Sequence, residues 1–155
     1  MVEQKVPETD KEAKAVACYG FYIPALAQML VRFVVSRPVS IITCAFLAWL
    51  VAYFATQGKR ALFLIWDNAS WHKSQIVREW IKTHNRRVKR EGGCRLIVCC
   101  LPSKSPWLNP IEPKWVHGKR AVSEPTRLLS IAELMQRVCA YYQCDFLELL
   151  AKPDC

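Results

Sequence analysis

The chain has 155 residues, 52% of them apolar, enough for one ordinary globular core and not comfortably for two. Its 22 Lys and Arg against 13 Asp and Glu give a formal charge of +9, which makes polyanions, nucleic acid first, the leading partner class. The 8 cysteines contain no Cys-x-x-Cys pair; that excludes a zinc ribbon or finger, and with no secretory leader in view reduced thiols in a cytosolic protein are expected.

Val2 to Lys14 is polar, charged and interrupted by proline, and reads as a tail or loop. From Ala15 to Ile23 and from Met29 to Val35, β-branched and aromatic residues predict two strands joined by a turn at Pro24. Pro38 opens an apolar helix that Gly58 ends. No charge falls between Pro38 and Ala55, so a membrane-associated protein is one rival reading. The direct run into Gln57-Gly58-Lys59-Arg60 and another strand favours a helix sandwiched inside a domain, with no membrane partner.

Ala61 to Trp66 predicts a fully buried strand with Asp67 as its punctuation. A helix follows from Lys73 to Arg90, with Ile76, Val77, Trp80, Ile81, His84 and Val88 on one stripe. Lys82, Arg86, Arg87, Lys89 and Arg90 lie on its other face. Gly92-Gly93 breaks it, and Cys94 to Leu101 predicts another buried strand before a proline-rich loop. A short basic helix after Glu112 and an amphipathic one from Ile131 to Tyr142 complete an α/β order, one domain over residues 15–144. Residues 145–155 offer no pattern.

Functional groups in such sheets gather beyond the carboxyl ends of strands, where Asp67 stands. Alone it reads as a strand-end Asp-Asn turn. Glu112 alone fits a capping box with Asn109 as N-cap and Pro110 at N1, although Pro113 would cost such a helix a backbone donor. Two carboxylates brought together by a fold are, however, what a divalent metal needs, and oxygen ligands suit Mg²⁺ or Mn²⁺.

Asp67-Asn68-Ala69-Ser70-Trp71-His72, followed further on by Ser105-Pro106-Trp107-Leu108-Asn109-Pro110-Ile111-Glu112, resembles the second and third acidic motifs of DDE transposases. More closely, the chain is similar to the catalytic domain of bacterial insertion-sequence transposases of the Tc/mariner superfamily. The resemblance implies an RNase H-like fold in which three carboxylates hold two Mg²⁺ or Mn²⁺ ions that cleave and join DNA strands. It also implies a bacterial, nucleoid-associated location. By motif, Asp67 corresponds to the second ligand and Glu112 to the third. His72 would orient Asp67 or touch a phosphate, or else order the turn. For Trp71 and Trp107, packing on the loop is favoured over stacking on a base. Arg86, Arg87, Lys89, Arg90, Lys114, Lys119 and Arg120 would hold DNA backbone.

The resemblance is incomplete. DDE enzymes place the first Asp on a central first strand, and nothing before Ala15 reads as a strand. The expectation is a catalytic-domain fragment lacking that strand and Asp, either a degenerate copy or the downstream half of a two-frame product. Such a chain would be marginally stable and prone to associate with itself or with an upstream product. A non-catalytic nucleic-acid-binding module is the other rival.

Overall fold

Pro24 is where the chain first reverses. β1 (Ala17–Ile23) pairs antiparallel with β2 (Gln28–Val34) in the register Ala17↔Val34 to Ile23↔Gln28. A single 3-10 turn over Pro24–Leu26, then Ala27 at φ 50, carries the reversal. The computed structural model describes residues 16–34, 37–145 and 147–151. The expected tail from Val2 to Lys14, and the strand limits Ala15 and Val35, lie outside them.

Six further elements follow: α1 (Ser40–Thr56), β3 (Ala61–Trp66), α2 (Gln75–Glu91), β4 (Arg95–Cys100), α3 (Ile111–Val122) and α4 (Ile131–Tyr142). The fold is mixed α/β, in the order the sequence predicts. β2 is buried from Met29 to Val34 because both its faces are covered. Leu30 and Val34 join the core built on α1, while Met29, Val31 and Phe33 meet Met135 and Cys139 of α4. α1 is apolar all round because it is enclosed: Ile42, Leu47 and Leu50 are fully buried. Its one buried hydroxyl, Thr43 Oγ1, bonds the Tyr19 hydroxyl at 2.7 Å. Among the described residues no helix is long and apolar enough to cross a membrane.

β3 and β4 form a second, parallel pair in the register Ala61↔Arg95 to Trp66↔Cys100. The two pairs are separate sheets of two strands each. The expectation of full burial fails for both strands of this pair. Leu62, Leu64 and Trp66 are buried, but Phe63 is 66% and Ile65 55% exposed; β4 ends on exposed Cys99 and Cys100. α1 and α2 cover one face only, so an unbroken apolar run here alternates between core and open surface.

The far side of β4 is closed by side chains of α2. Asn85 Nδ2 donates to the Leu96 carbonyl at 2.8 Å and its Oδ1 accepts the Leu96 N–H at 2.9 Å. His84, buried and stacked on Trp80, donates from Nε2 to the Cys94 carbonyl at 2.8 Å. The far side of β2 is met by the segment beyond Asp145: Leu150 N–H bonds the Phe33 carbonyl at 2.8 Å, and Arg32 Nη2 bonds the Glu148 carbonyl at 2.7 Å.

Candidate active site

Asp67 follows the last residue of β3, so its position is fixed by the strand and its direction by the turn that comes next. Its Oδ1 accepts the Ala69 N–H at 2.9 Å, the Asp-Asn turn expected of a strand end. The same oxygen meets His72 Nδ1 at 2.8 Å. The His72 ring lies parallel to the indole of Trp66, 2° between planes and 4.5 Å between centroids, which fixes it against the core. Both bonds fall on Oδ1; Oδ2 has no hydrogen-bond partner among the described residues. Asn68 donates from Nδ2 to the Leu101 carbonyl at 2.5 Å, tying the exit of β3 to the exit of β4. Ser74 then caps α2 by accepting the Val77 N–H.

Glu112 arrives by a different route. After β4 the chain makes a 3-10 turn at Pro106–Leu108, and α3 begins at Ile111 with Pro110 in the N-cap position. The capping box expected around Asn109 does not form. Asn109 Oδ1 accepts the Ile111 N–H at 3.4 Å, but no side chain caps the N-cap residue and the Glu112 carboxylate caps nothing. With the helix starting at Ile111, Pro113 falls among the first N–H positions, which have no intrahelical acceptor in any helix, so it costs α3 no bond. The real capping box is Ser130 with Glu133 on α4.

The two acids face one space. A cavity of about 310 Å³ is lined by Asp67 and Glu112 together with Trp71, His72 and Asn109. Trp115 of α3 reaches into the same cavity across Gly20, where a Cβ would overlap the indole. Burial pushes the Cys18 thiol, on the β1 wall, up to about 11 against the pull of Lys119. The polar groups on the cavity wall include the carboxylates of Asp67 and Glu112, hard oxygen donors. Two carboxylates fit part of a Mg²⁺ or Mn²⁺ site. Among the described residues no cluster of three His, Cys, Asp or Glu stands ready to hold a metal.

Other predicted residues divide. Trp71 is half-buried against His72, but Trp107 is 74% exposed. Packing on the loop therefore fails for Trp107, because the 3-10 turn carries its ring outward. Arg86, Arg87, Lys89 and Arg90 are exposed on α2, and Lys119 and Arg120 on α3. Lys114 is half-buried with its ammonium 5.1 Å from the Tyr22 ring centroid. The basic residues thus form two groups, since α2 packs on α1 and β4 whereas α3 packs on α4 and β1. One cation escapes the sequence reading. Lys104, at φ 60, borders a smaller depression of about 100 Å³ whose wall includes Asp67 and Asn68. Its place beside the Ser105–Glu112 motif was the only signal.

A family model described as DDE superfamily endonuclease matches residues 22–135, a stretch that contains both acidic motifs. No curated protein and no solved structure matches.

Proposed function

The chain belongs to the DDE superfamily endonuclease family, and on that premise we propose that it carries part of an RNase H-like transposase site acting on DNA. The observation that supports this reading is that Asp67, at the exit of β3, and Glu112, in the first turn of α3, line one cavity. In this reading Asp67, through Oδ2, and Glu112 hold Mg²⁺ or Mn²⁺. When bound, such ions supply an activated water and stabilise the leaving 3′ oxygen of a phosphodiester.

The remaining roles belong to the chain's own groups. His72 and the Ala69 N–H hold the Asp67 carboxylate in one orientation. Asn68 keeps the two site loops at a fixed separation. Exposed Trp107 offers a face on which a base displaced from the duplex stacks. Arg86, Arg87, Lys89 and Arg90, with Lys114, Lys119 and Arg120, hold phosphates along two tracks, and Lys104 adds a cation next to Asp67. The substrate class is then the ends and target of an insertion sequence, and the setting a bacterial nucleoid. Two carboxylates in place of three predict weak metal binding and little cleavage by the chain alone.

A second reading, a basic nucleic-acid-binding module without chemistry, is favoured by one observation: no three-ligand cluster exists among the described residues. Mn²⁺ titration followed by electron paramagnetic resonance separates the two. Saturable binding that Asp67→Asn and Glu112→Gln each abolish supports the nuclease reading. DNA affinity indifferent to Mn²⁺ and to both substitutions supports the binding module.

A further inference from the structure

The C-terminal end of α4 carries a thiol pair that the proposed chemistry does not use. The helix leaves its last turn through Gln143, whose φ of 52 is left-handed. Two backbone bonds close the end: Gln143 N–H to the Ala140 carbonyl at 3.3 Å and Cys144 N–H to the Cys139 carbonyl at 3.1 Å. This is the Schellman arrangement, in which the residue after the left-handed one folds back onto the residue five positions earlier. An apolar pair ordinarily makes the side-chain contact that goes with it. Here both residues are cysteines, both thiols are free, and they lie within hydrogen-bonding reach of each other.

Cys139 is buried with Met29, Val31 and Phe33 of β2, and half-buried Cys144 packs on the same cluster. Among the described residues no group of three His, Cys, Asp or Glu could hold a metal, so the pair does not belong to a thiolate metal site. Cys18 of β1 packs on the same cluster and is the rival partner for either sulfur.

We propose that Cys139 and Cys144 are a modification site, which closes reversibly into an intramolecular disulfide by exchange with a low-molecular-weight disulfide such as oxidised glutathione. Cys144, the more exposed of the two, attacks first as thiolate. Its sulfur bonds one sulfur of the reagent, the reagent S–S bond breaks, and one reagent thiol leaves. Cys139 then attacks the Cys144 sulfur, the mixed S–S bond breaks, and the second reagent thiol leaves. The protein loses two electrons and two protons, and the reagent disulfide takes them up as two thiols. Burial raises both protein thiols, Cys139 to about 12, so the exchange is slow at neutral pH. The new bond ties the turn in two directions. Tyr142, between the cysteines, donates to the Lys114 carbonyl of α3, and the segment beyond Cys144 meets β2 through Glu148 and Leu150. Oxidation therefore stiffens the joins of α4 to α3 and to the outer edge of β2.

The test incubates the full chain with millimolar glutathione disulfide at about pH 8. Remaining thiols are then alkylated and the chain is digested with chymotrypsin, which cuts after Tyr141 and Tyr142, between the two cysteines. The expected product is a fragment with Cys139 and a fragment with Cys144 that stay joined until dithiothreitol separates them. Oxidation should also raise Tm by about 5 °C, and should leave Tm unchanged in Cys144→Ser. Each chain is compared with itself, so a less stable variant does not disturb the reading, and the fragment map needs no variant. A bond from Cys18 to either cysteine, glutathione held on Cys144 without closure, or full alkylation of both thiols overturns the pairing. So does an equal Tm shift in Cys144→Ser.

Discussion

Removing the His72 side chain tests how the site holds the Asp67 carboxylate. His72→Ala deletes the 2.8 Å bond to Asp67 Oδ1 and the parallel contact with Trp66. A hydrogen bond to a carboxylate contributes about 1.5–3 kcal/mol when desolvated. The Asp67 side chain is 50% exposed and that of His72 15%, so solvent screening brings this down to about 1 kcal/mol. The parallel stacking of the two rings at a 4.5 Å centroid separation adds about 1 kcal/mol. The expected loss is therefore about 2 kcal/mol, or about 5 °C in Tm for a domain of this size. A double-mutant cycle with Asp67→Asn, followed by urea denaturation, isolates about 1 kcal/mol of coupling. A role in positioning has a second signature: His72→Ala weakens Mn²⁺ binding about tenfold, because an unheld carboxylate samples other rotamers. Coupling below about 0.3 kcal/mol, together with unchanged Mn²⁺ affinity, would refute the assignment of His72 as the residue that orients Asp67.

Other outcomes follow from contacts away from the carboxylates. Asn85→Ala leaves the N–H and C=O of Leu96, a residue 1% exposed, without partners; denaturation should show a loss of about 2–4 kcal/mol. Gly118→Ala places a Cβ into the Tyr142 hydroxyl, which donates to the Lys114 carbonyl at 2.7 Å. It should cost about 1–3 kcal/mol, with partial recovery in the Tyr142→Phe background. Burial raises Cys18 to about 11 and Cys139 and Tyr142 to about 12. Their protonated forms are favoured by folding, so this stability is complete below pH 9, where the unfolded thiols begin to ionise, and drains away as pH rises toward 12. Urea midpoints measured under reducing conditions should fall between pH 9 and pH 12, and by less in Tyr142→Phe.

Local patterns in the sequence identify every element of the described fold. The stripe from Ile76 to Val88 predicts α2 because a 3.6-residue period is a one-body property of the chain. What failed was burial that depends on a second body. Phe63 and Ile65 belong to a run that reads as covered on both faces, but nothing among the described residues covers their side. Glu112 illustrates a smaller failure. Its Asn-Pro-x-Glu setting imitates a capping box, whereas the helix starts one residue later and the genuine box at Ser130 and Glu133 carries an equally plain signature. The meeting of Asp67 with Glu112 at one cavity was legible only through motif resemblance, since neither period nor propensity says which loops converge. The edge-closing roles of His84 and Asn85 had no sequence signal at all. Each bonds backbone around ten residues away across a break, and His84 instead read as part of an apolar stripe.

The amide of Asn85 has a consequence for assembly. By spending both its polar atoms on Leu96 it terminates the parallel sheet as a further strand would, but offers no new edge in return. With that edge occupied, a second copy cannot add a strand to β4 through Leu96. Light scattering of the concentrated chain should therefore rise in Asn85→Ala before it does in the parent.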